Sequence, residues 1–388
     1  MHPLASYTPG GSQTLSKMKS RYPDNYPDTL VKGKDGHIWD DNGNEYIDLI
    51  SGLGSISVGY ANDFIDHAAY MQIRKGTIFS LPNPIEYEVA QRLTELVPWT
   101  EQWRFGKTGT DGVLMAVRAA RAYTGRNKIL TSGYHGCTDH FECLGTRKAG
   151  MLDLTEYTKQ YFGSLDYSDK SYAAIVLEPW LLEQQIYPII RQWCDKTGTL
   201  LIADEVVTGG RFEGFTASSF IKVRPDIIVL GKGLANGFPL CAVGATRSIM
   251  STFERDDFFA SGTFGGECVS LAGAVATLDI LQEELPQMIW NGGRIKEAFN
   301  KLNFKGKAVG YPTRLDFQFT NPVDKYVFWQ EMCKNGVLVG YNNFIMATHT
   351  DRDVTMIIDA IFKSYKSMKR GVNLEGRMPE MAIRKTNG

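Results

Sequence analysis

The sequence has no paired-cysteine signature. Its six cysteines (Cys137, Cys143, Cys194, Cys241, Cys268 and Cys333) never fall in C-x-x-C spacing. That excludes a disulfide scaffold or a zinc ribbon, and the thiols read as the reduced cysteines of a cytoplasmic protein. The chain also lacks a dominant charge. A formal net charge of −1 gives no electrostatic footprint for nucleic acid or an anionic membrane. No apolar run reaches the ~18 residues of a membrane span. The start, Met1-His-Pro-Leu-Ala-Ser-Tyr7, lacks the basic-then-apolar order of a signal peptide. No His, Cys, Asp and Glu residues fall at metal-ligand spacing, and no G-x-S-x-G elbow supports a serine nucleophile. Gly106-Lys107-Thr108 resembles the end of a P-loop, but Glu101 stands where the first glycine belongs, so that motif fails. Internal repeats and low-complexity stretches are absent.

What is present is a long chain with alternating strand and helix signals. A length of 388 residues allows two domains, or one large domain with a smaller lobe. An arm rich in Gly, Pro and Ser (7–26) comes first. His37-Ile-Trp-Asp and Glu45-Tyr-Ile-Asp then flank Asn42-Gly43, a hairpin signal of the type I′ kind. Asn83-Pro84-Ile-Glu86 predicts a capped helix that stops at Pro98, and Thr108-Gly-Thr110-Asp111-Gly112 predicts another that stops at Gly125. Short apolar strands follow over 128–131, 173–177, 200–203, 226–230 and 241–245, with a helix over 188–196. Continuous apolar strands alternating with helices predict an α/β fold with a mostly parallel sheet covered on both faces. Gly265 to Leu281 predicts an Ala-rich helix, and after about Glu284 the pattern becomes that of a smaller α+β lobe. The expected division is 1–44 (arm and hairpin start, part of the small domain), 45–284 (large domain) and 285–388 (small domain). The polar tail after Arg370 is expected to be poorly ordered.

Two strand ends carry reactive groups. Asp204 closes Leu200-Leu-Ile-Ala, and Lys232 follows Ile227-Ile-Val-Leu-Gly. Glu178 stands at the end of a third strand. In open parallel sheets, ligands bind beyond the carboxyl ends of the strands. Each residue alone reads as an ordinary strand-end polar group; together, with glycines around the lysine, they read as a site. Thr108-Gly109-Thr110 opens a helix whose first N–H groups suit an anion, and a plain N-cap by Thr110 is the competing reading. Tyr134, after the 128–131 strand, is an aromatic that can stack on a flat ligand. One ligand accounts for the set: an aromatic aldehyde with a ring nitrogen and a phosphate. Lysine forms its Schiff base, aspartate holds the ring nitrogen protonated, and Val206 packs behind the ring.

At these motifs the chain resembles a known family. Thr108-Gly-Thr-Asp111, Tyr134-His135-Gly136, Asp204-Glu-Val-Val-Thr-Gly209, Gly231-Lys-Gly-Leu-Ala-Asn-Gly-Phe-Pro239 and Ser261-Gly-Thr263-Phe264 are similar to the segments of the class III aminotransferases. The nearest branch is the one that includes glutamate-1-semialdehyde aminomutase. The resemblance implies a fold-type I pyridoxal 5′-phosphate enzyme with a seven-stranded-type sheet and a small α+β C-terminal domain. It implies a homodimer with shared sites and a small-molecule amino substrate. Lys232 is then the Schiff-base lysine and Asp204 the pyridine partner. Gly109 and Thr110, with Thr263 from the other copy, hold the phosphate; Tyr134 stacks, with His135 beside it in the motif; and Glu178 lies on the ring-hydroxyl side. The chain departs from the branch around the substrate. Lys17 stands at the arm's arginine position, Tyr341-Asn-Asn343 lacks a glutamate, and the loop after Glu178-Pro179 is short and carries Trp180. Lys17, Trp180, Tyr341 and Asn343 are therefore the substrate candidates. Aminotransfer is the leading expectation, aminomutase or decarboxylase chemistry the alternative, and a non-catalytic binding module the remote one.

Overall fold

In a computed structural model of the chain, residues 3–145 and 147–380 are described. Of these, the residues up to Asn62 join Glu284–Glu380 in one compact unit, and Asp63–Glu283 forms the other. The strands in chain order are β1 (Leu30–Lys34), β2 (His37–Asp40), β3 (Glu45–Asp48), β4 (Gln102–Gly106), β5 (Lys128–Ser132), β6 (Thr158–Gln160), β7 (Tyr172–Leu177), β8 (Leu200–Glu205), β9 (Ile227–Leu230), β10 (Cys241–Ala245), β11 (Gly306–Tyr311), β12 (Arg314–Phe319), β13 (Val337–Leu338) and β14 (Asn343–Phe344).

In the Asp63–Glu283 unit, seven strands form one sheet in the order β4-β10-β9-β8-β7-β5-β6. Pairing from β5 to β9 is parallel, and β10 runs antiparallel to both β4 and β9. Alternate residues of each strand serve opposite faces. Ile227 and Val229 meet Val113, Ala116, Val117 and Ala120 of the helix Gly109–Thr124. Ile228 and Leu230 meet Val89 and Leu93 of Pro84–Leu96, and Leu271 and Leu278 of Cys268–Asn300. Ile175 and Leu177 meet Ile190 and Trp193 of Ile186–Thr197. The expected α/β architecture is present, with both faces covered.

Local chemistry starts and stops these helices as the sequence predicts. Asn83 closes a capping box with Glu86 ahead of Pro84–Leu96. Gly125 takes a left-handed φ of 67° after Gly109–Thr124, which costs little without a Cβ. One expectation differs. The helix Cys268–Asn300 runs 33 residues straight through Pro286, where the sequence suggests a break. Proline removes a single donor, and the buried stripe Leu278, Leu281, Met288, Ile295 and Phe299 continues on both sides of it.

Asp204 and Glu205, adjacent on β8, meet opposite surroundings. The Glu205 carboxylate is fully buried and accepts from Ala217 N–H (3.0 Å), Ser218 N–H (2.7 Å), Ser218 Oγ–H (2.5 Å) and the Thr208 hydroxyl. It anchors the loop that leaves the end of β8. Burial raises its pKa, and these donors only partly offset that.

The other unit holds two small sheets, β1-β2-β3-β13 and β11-β12-β14. β3 pairs in parallel with β13, and Phe344, Ala347 and Thr348 donate to Leu49, Ser57 and Val58 carbonyls. These long-range bonds put the division at Asn62 and not at residue 44, because 45–62 are fastened to the C-terminal elements. The β2–β3 hairpin forms, but not through a two-residue type I′ turn. Only Gly43 has positive φ (81°), and Asp40 Oδ1 organises the loop by accepting from Asn42 N–H (3.0 Å) and Asn44 N–H (2.8 Å). The stretch after Arg370 is not loose over its described part: Glu375 N–H bonds Gln330 Oε1 (2.7 Å) and Glu380 N–H bonds Ser20 O (2.7 Å). Residues 381–388 of that tail lie outside the described residues. His349 is buried and its Nδ1 accepts from Met346 N–H at 3.0 Å.

Two outcomes follow from these buried groups. Glu205→Ala leaves several buried donors unpaired, so chemical denaturation is expected to show a loss of about 3 kcal/mol. Burial lowers the His349 pKa from 6.5 to about 4. The unfolded chain binds that proton near 6.5 and the folded chain does not. This contribution is therefore present above pH 6.5 and is lost as pH falls towards 4, to a total of roughly 3 kcal/mol. Denaturation across that window should show the slope, and His349→Gln, which cannot gain the charge, should flatten it.

Candidate active site

The reactive residues of the Asp63–Glu283 unit collect at the carboxyl ends of β5, β7, β8 and β9, where an open α/β sheet offers its crevice. Asp204 sits at the end of β8. Its Oδ1 accepts from Val206 N–H at 3.1 Å, and its Oδ2 lies 2.7 Å from Nδ1 of His135. The Nε2 of His135 lies 2.8 Å from the Ser132 carbonyl. A carbonyl only accepts, so Nε2 carries a proton. The 2.7 Å contact of Nδ1 with Asp204 is then the second hydrogen bond of the same ring. The His135 side chain is 0% exposed and that of Asp204 10%. The carboxylate keeps an accessible edge for a further donor, while its orientation is fixed from behind.

The helix Gly109–Thr124 supplies an anion cradle. Thr108 is the N-cap: its Oγ1 accepts from Asp111 N–H (3.2 Å), and Asp111 Oδ2 accepts from Thr108 N–H (2.8 Å). Thr110, which the sequence left open as a cap, is therefore inside the helix. Among the described residues the N–H groups of Gly109 and Thr110 have no acceptor. Those groups and the positive end of the helix dipole suit a phosphate. Thr110 Oγ1 accepts from Cys137 N–H at 3.4 Å, which leaves the hydroxyl proton available to an anion. Gly136 has φ +108°, and a Cβ on it would lie 2.7 Å from Thr110 Oγ1. The sequence reading missed the Gly136 and Cys137 backbone, whose role depends on a contact between loops far apart in the chain.

Lys232 follows β9 in a tight turn, Lys232–Ala235, with φ +43°. A side chain in that region costs roughly 1–3 kcal/mol and is held only by its surroundings. Those surroundings are Leu234 and Ala235, buried against Phe215, Leu240 and Ala274. Val206 lies between the lysine turn and the helix start. A Cβ on Gly109 would fall 2.7 Å from Val206 Cγ1, and one on Gly231 3.2 Å from the same atom.

The remaining candidates fall into two sets. Glu178 follows β7, and its carbonyl accepts from Tyr187 Oη–H at 2.7 Å. Trp180 packs on Phe212 and Phe220, with ring centroids 4.9 and 5.9 Å away. Tyr134 is 61% exposed at the rim. Thr263 is exposed in the loop before the helix Cys268–Asn300. The other unit carries Lys17, Tyr341 and Asn343. Lys17 ends the short turn Leu15–Lys17. Tyr341 Oη is 2.8 Å from Tyr326 Oη, with Lys325 Nζ over its ring at 4.5 Å. Asn343 is a correction to the substrate set. It is fully buried, its Nδ2 donates to Leu315 O and Gly340 O, and its Oδ1 accepts from Gly340 N–H. Its amide holds the loop before β14.

The residues fit pyridoxal phosphate. The unpartnered N–H groups at Gly109 and Thr110 suit its phosphate, the open edge of Asp204 suits a ring N–H, and Lys232 offers an amine. Comparison with known proteins agrees. Residues 20–175 and 156–303 match the family Aminotransferase class-III. The chain is 28% identical to a glutamate-1-semialdehyde 2,1-aminomutase of Syntrophobacter fumaroxidans, over 88% of this chain and 91% of that one. It is also 28% identical to a 3-aminobutyryl-CoA aminotransferase of Cloacimonas acidaminovorans, over 93% and 94%. The FumI protein of Sphingopyxis sp. MTA144, solved in its PLP internal aldimine form, superposes with a TM-score of 0.88 at 25% identity over 95% of each chain. A helix start with unpartnered N–H groups and an aspartate fixed by two hydrogen bonds at a strand end thus occur in a chain that belongs to the class III aminotransferases, enzymes that use pyridoxal phosphate.

Proposed function

We propose that the chain transfers an amino group from a small amino compound, with Lys232 as the group that binds the cofactor covalently and moves the proton. Pyridoxal phosphate, when bound, supplies a protonated aromatic ring that takes up the electron pair released at the substrate carbon. Asp204 accepts the ring N–H. His135 and the Val206 N–H keep that carboxylate aimed. Gly109 and Thr110 hold the phosphate, Tyr134 covers one face of the ring, Val206 packs on the other, and Glu178 lies on the ring-hydroxyl side. The Lys232 amine would take the proton from the substrate Cα and deliver it across the amino nitrogen to the former aldehyde carbon of the cofactor. It must be neutral to do so. The observation that carries this reading is the Asp204 carboxylate, bonded at 2.7 Å to His135 and at 3.1 Å to Val206 N–H yet open on one edge.

On the substrate side of the Asp63–Glu283 unit we assign Trp180; Lys17 and Tyr341, in the other unit, are assigned from their positions in the sequence alone. Lys17 is a point charge, without the flat fork of an arginine. It suits a carboxylate or another anionic group held less rigidly than in a bidentate clamp. No helix among the described residues is long and apolar enough to cross a membrane, and with six free thiols we place the protein in the reducing cytoplasm.

We also propose that the enzyme is a homodimer in which Thr263 of one copy completes the phosphate site of the other. Support comes from a groove of about 790 Å³ that includes Thr263 and Phe264 and is bordered by Phe79, Leu81 and Tyr87. These four large side chains are 47–78% exposed, an apolar patch of the kind that a partner surface covers.

Two measurements test these readings. With a panel of amino donors, the wild-type holoenzyme should convert its cofactor to the amino form and release a carbonyl product. Lys232→Ala should lose at least about 10²–10⁴ in turnover while still retaining the cofactor. Undiminished turnover in that variant would sink the lysine assignment. Carbon dioxide release, or an isomer without net exchange, would move the reading to decarboxylase or mutase. For the dimer, sedimentation should give twice the chain mass, and Thr263→Ala should weaken cofactor binding about tenfold, the loss of one or two hydrogen bonds to a charged group.

A further inference from the structure

The Thr263 loop is exposed at its tip and fixed at its base. Ser261 to Gly265 are all exposed. Below them, Gly265 N–H bonds Gly262 O at 3.0 Å and Glu267 N–H bonds Phe264 O at 3.2 Å. Gly265 lies so close to the Phe105 carbonyl that a Cβ would come within 3.0 Å of it. Gly266, at φ +82°, faces the Glu86 carboxylate, where a Cβ would come within 2.9 Å. The strongest tie is ionic. Lys107 Nζ is 2.7 Å from Glu267 Oε2 and 3.1 Å from Ser270 Oγ. Glu267 also accepts from Val269 N–H (2.7 Å) and Ser270 Oγ–H (2.7 Å). The two charged side chains are only 21% and 15% exposed. Burial raises the Glu267 carboxyl, but the Lys107 and Ser270 donors more than offset this and hold it below the usual carboxylate range.

Lys107 directly precedes Thr108, the cap of the phosphate-side helix. Its ammonium is nevertheless engaged by Glu267, and the nearby first-turn N–H groups carry the local positive potential. The cation therefore serves the Thr263 loop. An exposed loop that must order itself on binding loses affinity to that ordering, and a loop already anchored by a sheltered ion pair does not.

We propose that Lys107 and Glu267 form a positioning pair for the cofactor site of the second copy: they fix the angle at which Thr263 leaves its own chain. This rests on the dimeric reading above. Breaking the pair then weakens cofactor binding in trans and leaves the subunit's own site intact.

The test uses tagged heterodimers in which one site lacks its lysine through Lys232→Ala, so that borohydride trapping of the Schiff base, followed against cofactor concentration, reports only the other site. When Glu267→Gln is placed on the Lys232→Ala subunit, the reporting site is wild type but its Thr263 loop comes from the altered chain. Affinity there should fall about tenfold, as expected for a partly buried ion pair that loses one charge. When Glu267→Gln is placed on the reporting subunit, affinity should match the wild-type heterodimer. Lys107→Met should reproduce both results and Lys107→Arg should restore tight binding. A merely structural pair would lower the melting temperature without this split between the two arrangements. Weakening that follows Glu267→Gln within its own subunit, or no weakening in either arrangement, overturns the proposal. If sedimentation gives a monomer, or Thr263→Ala leaves affinity unchanged, the dimeric reading has failed first, which separates the two failures.

Discussion

The helix Gly109–Thr124 can approach the strand ends only because two glycines frame one valine. Val206 Cγ1 would lie 2.7 Å from a Cβ on Gly109 and 3.2 Å from one on Gly231. A methyl group at Gly109 would force the helix start away from β8, and the N–H groups of Gly109 and Thr110 would move with it. A methyl group at Gly231 would press on the same isopropyl and shift the turn that carries Lys232. The helix start and the lysine turn thus share a single steric contact, on the valine two residues beyond Asp204. Interiors pack at crystal-like density and cannot absorb such shifts locally.

The two neighbouring carboxylates on β8 show how one strand divides its work. Successive side chains point to opposite faces. Glu205 is turned to a dry environment and filled by the Thr208, Ala217 and Ser218 donors, so it fastens the loop beyond the strand. Among the described residues Asp204 meets the Val206 N–H and the His135 ring and no other donor. That incomplete satisfaction, beside a fully buried imidazole, makes it the one of the two suited to bind something else. Exchanging the two surroundings would leave a rigid strand end with no chemistry.

Much of this was readable from local sequence. The Asn83 and Thr108 capping boxes, the Gly125 stop and the strands ending at Asp204 and before Lys232 all depend on residues within a few positions of one another. What could not be read depends on distant partners. The fastening of 45–62 to the C-terminal elements needs β3 to find β13, and nothing near residue 45 signals that. Asn343 is a substrate candidate in the sequence because Tyr341-Asn-Asn343 lacks the glutamate that the family carries there. Its amide is fully used by Leu315 and Gly340, one of which is distant in sequence. That the His135 ring is held from both sides is legible only when the Ser132 carbonyl is seen behind it.

The direction of β10 explains why the lysine sits in so strained a turn. A parallel return to the sheet would need a crossover of a dozen or more residues, normally a helix. β10 instead runs antiparallel beside β9, so residues 231–240 suffice to connect them. The chain must then reverse immediately beyond the carboxyl end of β9, and Lys232 and Asn236 take left-handed φ values of 43° and 44° to achieve it. A longer parallel connection would relieve that strain. It would also put the lysine on a segment free to move relative to Asp204. The tight reversal places it one residue beyond a buried strand, with Leu234 and Ala235 packed behind it. The strain is thus tied to the accuracy with which an amine is held at the sheet's edge, and the burial of those two side chains is what keeps it there.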